Sequence, residues 1–153
     1  MNRLPRIVAI IFIVAGVVLI VAGGVTYYAV RNQLSDEHIT VSQDASHFAG
    51  KDVKGPLTAY EQADVIKKHA LEAGNGKTYA QLSQDDPKRQ TVMTASFLRS
   101  SLYTSVVAFG VAALVVGLGV MFILLGLALI GVLRRLPSAQ PAEQAAATTQ
   151  LGP

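Results

Sequence analysis

The sequence predicts an all-α membrane protein: an antiparallel two-helix transmembrane hairpin carrying a small, mainly helical extracytoplasmic domain. Three observations predict it. Residues 7–30 and 100–133 contain no Asp, Glu, Lys, Arg or His, giving uncharged runs of 24 and 34 residues, where a helix needs about 20 apolar residues to cross a hydrocarbon core roughly 30 Å thick. Nine of the 13 Lys and Arg and nine of the 10 Asp and Glu lie between these runs, so the intervening segment is neutral. The net charge of +3 belongs to the ends, where Arg3 and Arg6 precede the first run and Arg134 and Arg135 follow the second.

Lys and Arg close to a span favour the cytoplasmic side, and a long loop is translocated largely regardless of its own charge. The chain therefore divides into a cytoplasmic N-terminus (1–6), a first span (7–30), an extracytoplasmic domain (31–102), a second span (103–133) and a cytoplasmic tail (134–153). Small residues at Ala22, Gly23 and Gly24 resemble a signal-peptide cleavage region. The apolar run continues past them to Val30, and Tyr27 and Tyr28 stand where an interfacial aromatic belt belongs, so a retained signal anchor is expected. The expected location is the plasma membrane, with both termini inside.

The chain has no Cys, which excludes a disulfide, a thiolate metal site and a lipidated cysteine. A domain of some 70 residues is marginal alone, so this one is expected to lean on helical extensions of its two anchors. Residues 31–38 continue the first helix. Ile39, Thr40, Val41 and Ser42 alternate and favour a short strand or extended segment, and residues 44–54 read as loop, with Gly50 and Gly55 available for turns.

Pro56–Ala73 carries the clearest helix signals of the domain. Proline opens its first turn, Thr58 and Glu61 stand at capping-box spacing, and Gly74, Asn75 and Gly76 close it. Ala59, Ala63, Ile66, Ala70 and Ala73 trace a shallow apolar face. Residues 77–82 are expected to add a short helical turn through Tyr79 and Leu82. Asp86 before Pro87 marks the entry to a last helix running to Arg135. At 49 residues it would be about 74 Å long, so some five turns must stand clear of the membrane, with Val92, Met93, Phe97 and Tyr103 as packing surface. Residues 137–153 lack the apolar bulk for a core and read as a disordered tail.

Within the spans, Ala9, Gly16 and Gly23 recur every seven residues, as do Ser105, Ala112, Gly119 and Gly126. Seven residues is close to two helical turns, so each series forms one seam along which backbones can approach closely. Ala108 with Ala112 and Ala113 with Gly117 have the small-xxx-small spacing and lie partly on a second face. The spans hold no polar side chain at depth, as an ion pathway or proton relay would require.

His38, His47 and His69 all fall in the external domain, with Asp44 near His47 and Asp36 and Glu37 beside His38. None has zincin spacing. Lys67, Lys68 and His69 form a small basic cluster, and residues 74–77 lack the full spacing of a phosphate loop. No catalytic, cofactor-binding or metal-ligating residue is assigned, and no patch suggests nucleic acid.

The segment HFAGKDVKGPLTAYEQADVIKKHALEAGNGKTYAQL at 47–82, followed by TVMTASFLRSSLYTSVVAFGVAALVVGLGV at 91–120, resembles a group of small actinobacterial two-helix membrane proteins of unknown function. Members often carry the label aromatic ring-opening dioxygenase. That label implies a non-haem iron site with His and carboxylate ligands, which the residues here do not supply. The expected function is non-enzymatic: an accessory or assembly subunit meeting membrane lipids and other membrane proteins, or a second copy of itself. The alternative is an envelope sensor or carrier that binds a lipid or small ligand through its external helices, and a hydrophobic cleft above the membrane would favour it.

Overall fold

A computed structural model describes residues 3–135 of the chain. The expectations for the extreme N-terminus and for the tail at 137–153 lie outside the described residues. Three helices account for most of the rest: α1 (Arg3–Asp36), α2 (Pro56–Ala73) and α3 (Arg89–Arg135), with a 3₁₀ turn at Tyr79–Gln81. Both α1 and α3 are long and apolar enough to cross a membrane. At 34 and 47 residues they measure about 51 and 70 Å.

α1 and α3 run antiparallel and touch through their glycines. A Cβ placed on Gly16 would stand 2.5 Å from the Gly119 carbonyl oxygen, and one on Gly119 would stand 2.6 Å from the Gly16 carbonyl oxygen. Seven residues further along each helix, a Cβ on Gly23 would lie 2.8 Å from the Ala112 carbonyl, and one on Gly126 would lie 2.8 Å from that of Ala9. Only a hydrogen fits at these crossings. Ile13, Ile20, Val116 and Ile123 close over the glycines from either side, and Phe12 meets Phe122 with ring centroids 5.5 Å apart. The other faces carry large apolar side chains outward, among them Val14, Val18, Leu114 and Leu125.

The next step of seven brings Val30 to the level of Ser105, and there the small-residue contact stops. Ser105 is half-buried rather than closed in, and its hydroxyl donates to the Ser101 carbonyl at 3.3 Å. From Tyr27 and Phe109, about one turn on the seam side of this level, large residues replace small ones. Phe109, Leu102 and Leu34 are buried, and the Tyr27 ring meets Phe109 edge-on at 4.8 Å.

α2 packs its Ala59 and Ala63 into this cluster, and the 39–54 segment seals it with Val41 and Val53. Both valines are almost fully buried, at 1% and 0% exposure, and together contribute on the order of 3–6 kcal/mol of apolar transfer. Their strands are rudimentary. The Val41 N–H donates to Lys51 O at 2.8 Å and the Val53 N–H to Ile39 O at 2.8 Å, but only an isolated Thr40–Asp52 bridge results. The turn between them uses positive φ at Phe48 and Gly50.

Several local expectations are corrected. The N-cap of α2 is Gly55, whose carbonyl accepts the first helical bond from Ala59 at 3.0 Å. Thr58 therefore sits one turn in, where its hydroxyl oxygen accepts the N–H groups of Lys54 and Gly55 at 3.3 Å. Glu61 is released from any capping role. The exit of α2 passes through positive-φ Asn75 and Gly76, with the Gly76 N–H reaching back to Leu71 O at 2.7 Å, the six-to-one bond that satisfies a terminal carbonyl. Ala73 is exposed and Val65 is buried in its place. Val65 shares a stripe with Glu61, Gln62 and His69, and that stripe faces the 39–54 segment instead of α3.

α3 begins at Arg89 rather than Pro87. The first helical bond runs from the Val92 N–H to the Lys88 carbonyl at 3.1 Å, so Asp86 stands two residues before the cap, its Oδ1 accepting the Lys88 N–H at 2.9 Å. The stripe buried by the head runs through Val92, Leu102 and Phe109. Phe97 lies about 140° around the helix from Val92 and points outward, 68% exposed. Arg89 fastens the 3₁₀ turn by donating to the carbonyls of Leu82 at 2.5 Å and Tyr79 at 3.4 Å, with its guanidinium 4.2 Å from the Tyr79 ring centroid.

Gly119→Leu is expected to weaken α1–α3 pairing by about 1–3 kcal/mol through overpacking, whereas Leu118→Ala, on an outward face, stays within about 0.5 kcal/mol. Because the chain has no Cys, dye pairs placed by Arg3→Cys and Arg135→Cys report separation during an SDS titration. Equal midpoints for the two variants would remove the glycine contact as the basis of pairing.

Candidate functional site

Where the glycine seam runs out, the three helices enclose a cleft of about 610 Å³. Its apolar wall consists of Val30 and Leu34 of α1, Ile39 just beyond it, Ile66 of α2, and Leu98 and Leu102 of α3. The cause is legible in the heptad: Gly23 is followed seven residues later by Val30, so the close approach of the backbones is not repeated, and α2 covers the opening incompletely with its short side chains.

The polar part of the wall is almost uncharged. Gln33, Gln62, Ser101, Thr104 and Ser105 contribute, with Glu37 as the sole charged side chain among the lining residues. Several of these groups are already committed. Gln62 Oε1 accepts the Ser42 N–H at 2.9 Å, and the Thr104 and Ser105 hydroxyls donate to carbonyls four residues back in their own helix. The Gln62 amide NH₂, the Gln33 amide and the Ser101 hydroxyl retain donor capacity. The site can thus hold an apolar body and hydrogen-bond a neutral polar end, with no cation to pair an anion.

The histidines lie elsewhere and point to different partners. His69 Nε2 stands 2.8 Å from Asp44 Oδ2, which Lys68 Nζ also approaches at 3.5 Å. The His47 side chain lies 3.8 Å from Glu61, whose Oε1 accepts the His47 backbone N–H at 2.9 Å. His38 turns at positive φ beside a shallow recess shared with Asp52. Asp44, three residues from His47 in sequence, is thus joined to His69. Among the described residues, no three His, Asp or Glu side chains gather where a metal could bind.

These contacts form a latch between the 39–54 segment and α2. The hydrogen bond from His69 holds the Asp44 carboxyl down at about 2, against an ordinary value of 3.8, and Lys54, 2.8 Å away, lowers that of Asp52. No protein-family model, curated protein or solved structure matches the chain.

Sequence inspection singled out Ile66 but missed Leu98, Gln33 and Gln62 as members of one site, because they come from three segments with no shared motif. The available signal was the break in the small-residue series at Val30.

A carboxyl with a lowered folded-state pKa contributes its stability in full above the unfolded value and loses it as pH falls through the folded value. Asp44→Asn should therefore speed amide exchange across residues 42–47 near neutral pH. The difference from the parent protein should fade between 3.8 and about 2, with exchange compared between the two proteins at each pH. A difference that persists undiminished at the acid end would show that the ion pair is not its source.

Proposed function

We propose that this protein is a non-enzymatic, two-span plasma-membrane protein whose external head binds an amphiphile with a neutral polar end, as an envelope sensor or carrier. The single observation that carries this reading is the position and chemistry of the cleft. It begins where the seam between the apolar helices ends, has aliphatic side chains on its walls, and presents amide and hydroxyl donors with one carboxylate and no cation. An acyl chain would replace solvent against the exposed Leu98 and the partly exposed Val30 and Ile66, burial worth roughly 25 cal/mol per Å². Glu37 would disfavour a fatty-acid carboxylate or a phosphate, so the headgroup class is glycerol-like or sugar-like.

Membrane placement is supported by the outward-facing apolar residues. In the most apolar windows of α1 and α3 only 17% and 11% of residues are buried, whereas the core helix of a soluble domain buries most of its apolar surface. Retention of α1 is supported by its glycine-level fit to α3, which a removable leader does not need. The basic flanks support cytoplasmic termini and an external head.

The assembly-subunit reading keeps one specific support. Although the heptad seams are consumed by the contact between α1 and α3, Gly110 and Gly117 of α3 face open space, so a further helix could approach there. Small residues are common in membrane helices, and the cleft gives the ligand reading the stronger physical basis.

Purified full-length protein incubated with a diacylglycerol is expected to retain it in native mass spectrometry. Ser101→Trp, which fills the cleft, should abolish retention, while Leu114→Trp on the outward face should not. Equal retention by both variants would overturn the cleft reading. For topology, a membrane-impermeant maleimide should label Asp64→Cys in intact cells and leave Arg135→Cys unlabelled until lysis. The reverse pattern would invert the proposed orientation.

A further inference from the structure

We propose that a second recess, on the α2–α3 side of the head, is a binding site for a tetrahedral phosphate group. It has a volume of about 80 Å³ and is bounded by Lys67 of α2, Lys77 just beyond its end, and Arg99 of α3, with Tyr79 and Ser96 in the wall. That volume is small, on the scale of a single compact oxyanion.

Three cations border the recess, beside the apolar Ala70, Leu71, Val92 and Ala95, and no carboxylate lines it. Lys54 and Lys68 elsewhere in the head each reach an acid, Asp52 at 2.8 Å and Asp44 at 3.5 Å. Among the described residues, Lys67, Lys77 and Arg99 make no such pair. The Arg99 Nε is buried without a hydrogen-bond acceptor. A buried charged donor left unmade carries a desolvation penalty, and the strongest way to satisfy it is a charge-assisted bond to an anionic oxygen. The Ser96 hydroxyl donates its proton to the Val92 carbonyl at 2.9 Å, and its oxygen makes no hydrogen bond to the Arg99 Nε.

The charge count favours phosphate over a carboxylate, since three cations around a single negative charge would leave the recess strongly positive. It also separates this recess from the cleft, which has an acid and no base. A phosphate group could arrive free in solution or on a lipid. Arg99 stands four residues beyond Tyr103, about 6 Å along the helix, within the polar layer of a bilayer if the span begins there, a polar layer being about 5–8 Å deep on each side. Val92, at the far end of the recess, lies well beyond it.

The test uses the full-length protein in uncharged detergent, titrated with inorganic phosphate against chloride at constant ionic strength, and in phosphatidylcholine vesicles with and without phosphatidic acid. Phosphate should raise the thermal midpoint more than chloride does. Arg99→Gln and Lys67→Gln should each weaken binding about tenfold or more, while Lys68→Gln, whose charge faces Asp44, leaves it unchanged. Arg99→Lys keeps the charge without the guanidinium fork and should bind with intermediate affinity; should Arg99→Gln fail to fold, this variant and Lys67→Gln still decide. A response to phosphatidic acid alone, lost in the same variants, assigns the phosphate to a lipid. Equal responses to phosphate and chloride with no effect of phosphatidic acid, or binding unaltered in Arg99→Lys and Lys67→Gln, would overturn the proposal.

Discussion

Everything in this molecule is referred to the place where two backbones touch. At Gly16 and Gly119 the carbonyl oxygen of each helix lies so close to the other glycine that a methyl group could not stand between them. In a bilayer, lipid tails would be as apolar as these helices and would supply no hydrophobic drive to pair them, so close van der Waals contact would have to do it. The glycines permit that contact, and the isoleucines that flank them supply its surface. Once Ala9 faces Gly126 and Gly23 faces Ala112, the register of the two long helices is set for their full length, because each is rigid and continuous.

The head depends on that register in a direct way. α2 brings mostly alanines to the cluster, and its own burial is too small to organise a domain. It is held because Leu34 and Leu102, carried up by α1 and α3 from the glycine contact, present a ready-made apolar surface, and because Val41 and Val53 close that surface from the other side. The hydrogen bonds of Gln62, Glu61 and His69 to the 39–54 segment add position more than energy, being largely exposed. A change from small to large residues along one pair of helix faces thus turns a backbone-to-backbone helix contact into a domain core within a few turns.

The same change leaves two spaces behind, and their chemistry differs because their walls come from different stripes. One space faces the seam stripe as it ends, and inherits aliphatic side chains with amides and hydroxyls. The other faces the outer stripe of α2, where lysines are placed for solubility, and the stripe of α3 that carries Arg99. Neither space required a special motif. Each follows from an imperfect fit between a thin, alanine-rich helix and two rigid ones.

Much of the architecture could be read from residue order alone. Two charge-free runs, seven-residue series of small side chains, a proline and a glycine bracket around 56–73 and an Asp-Pro entry are all local or periodic signals; α2 keeps its bracket and α3 starts two residues after Pro87, while α1 reaches back to Arg3, four residues before its charge-free run. Thr58 shows the limit: its spacing to Glu61 suited a capping box, but the helix starts at Gly55 because the carbonyl that accepts the first bond is chosen by where the chain enters, and Glu61 then turns to His47. Phe97 and Val65 show it again, since a side chain's burial is decided by which neighbouring segment covers its face, and that segment lies far away in sequence. The cleft and the cation-lined recess belong wholly to tertiary structure. Their walls gather residues from three separated stretches, and a void is a property of how surfaces fail to meet, which no single stretch of chain encodes.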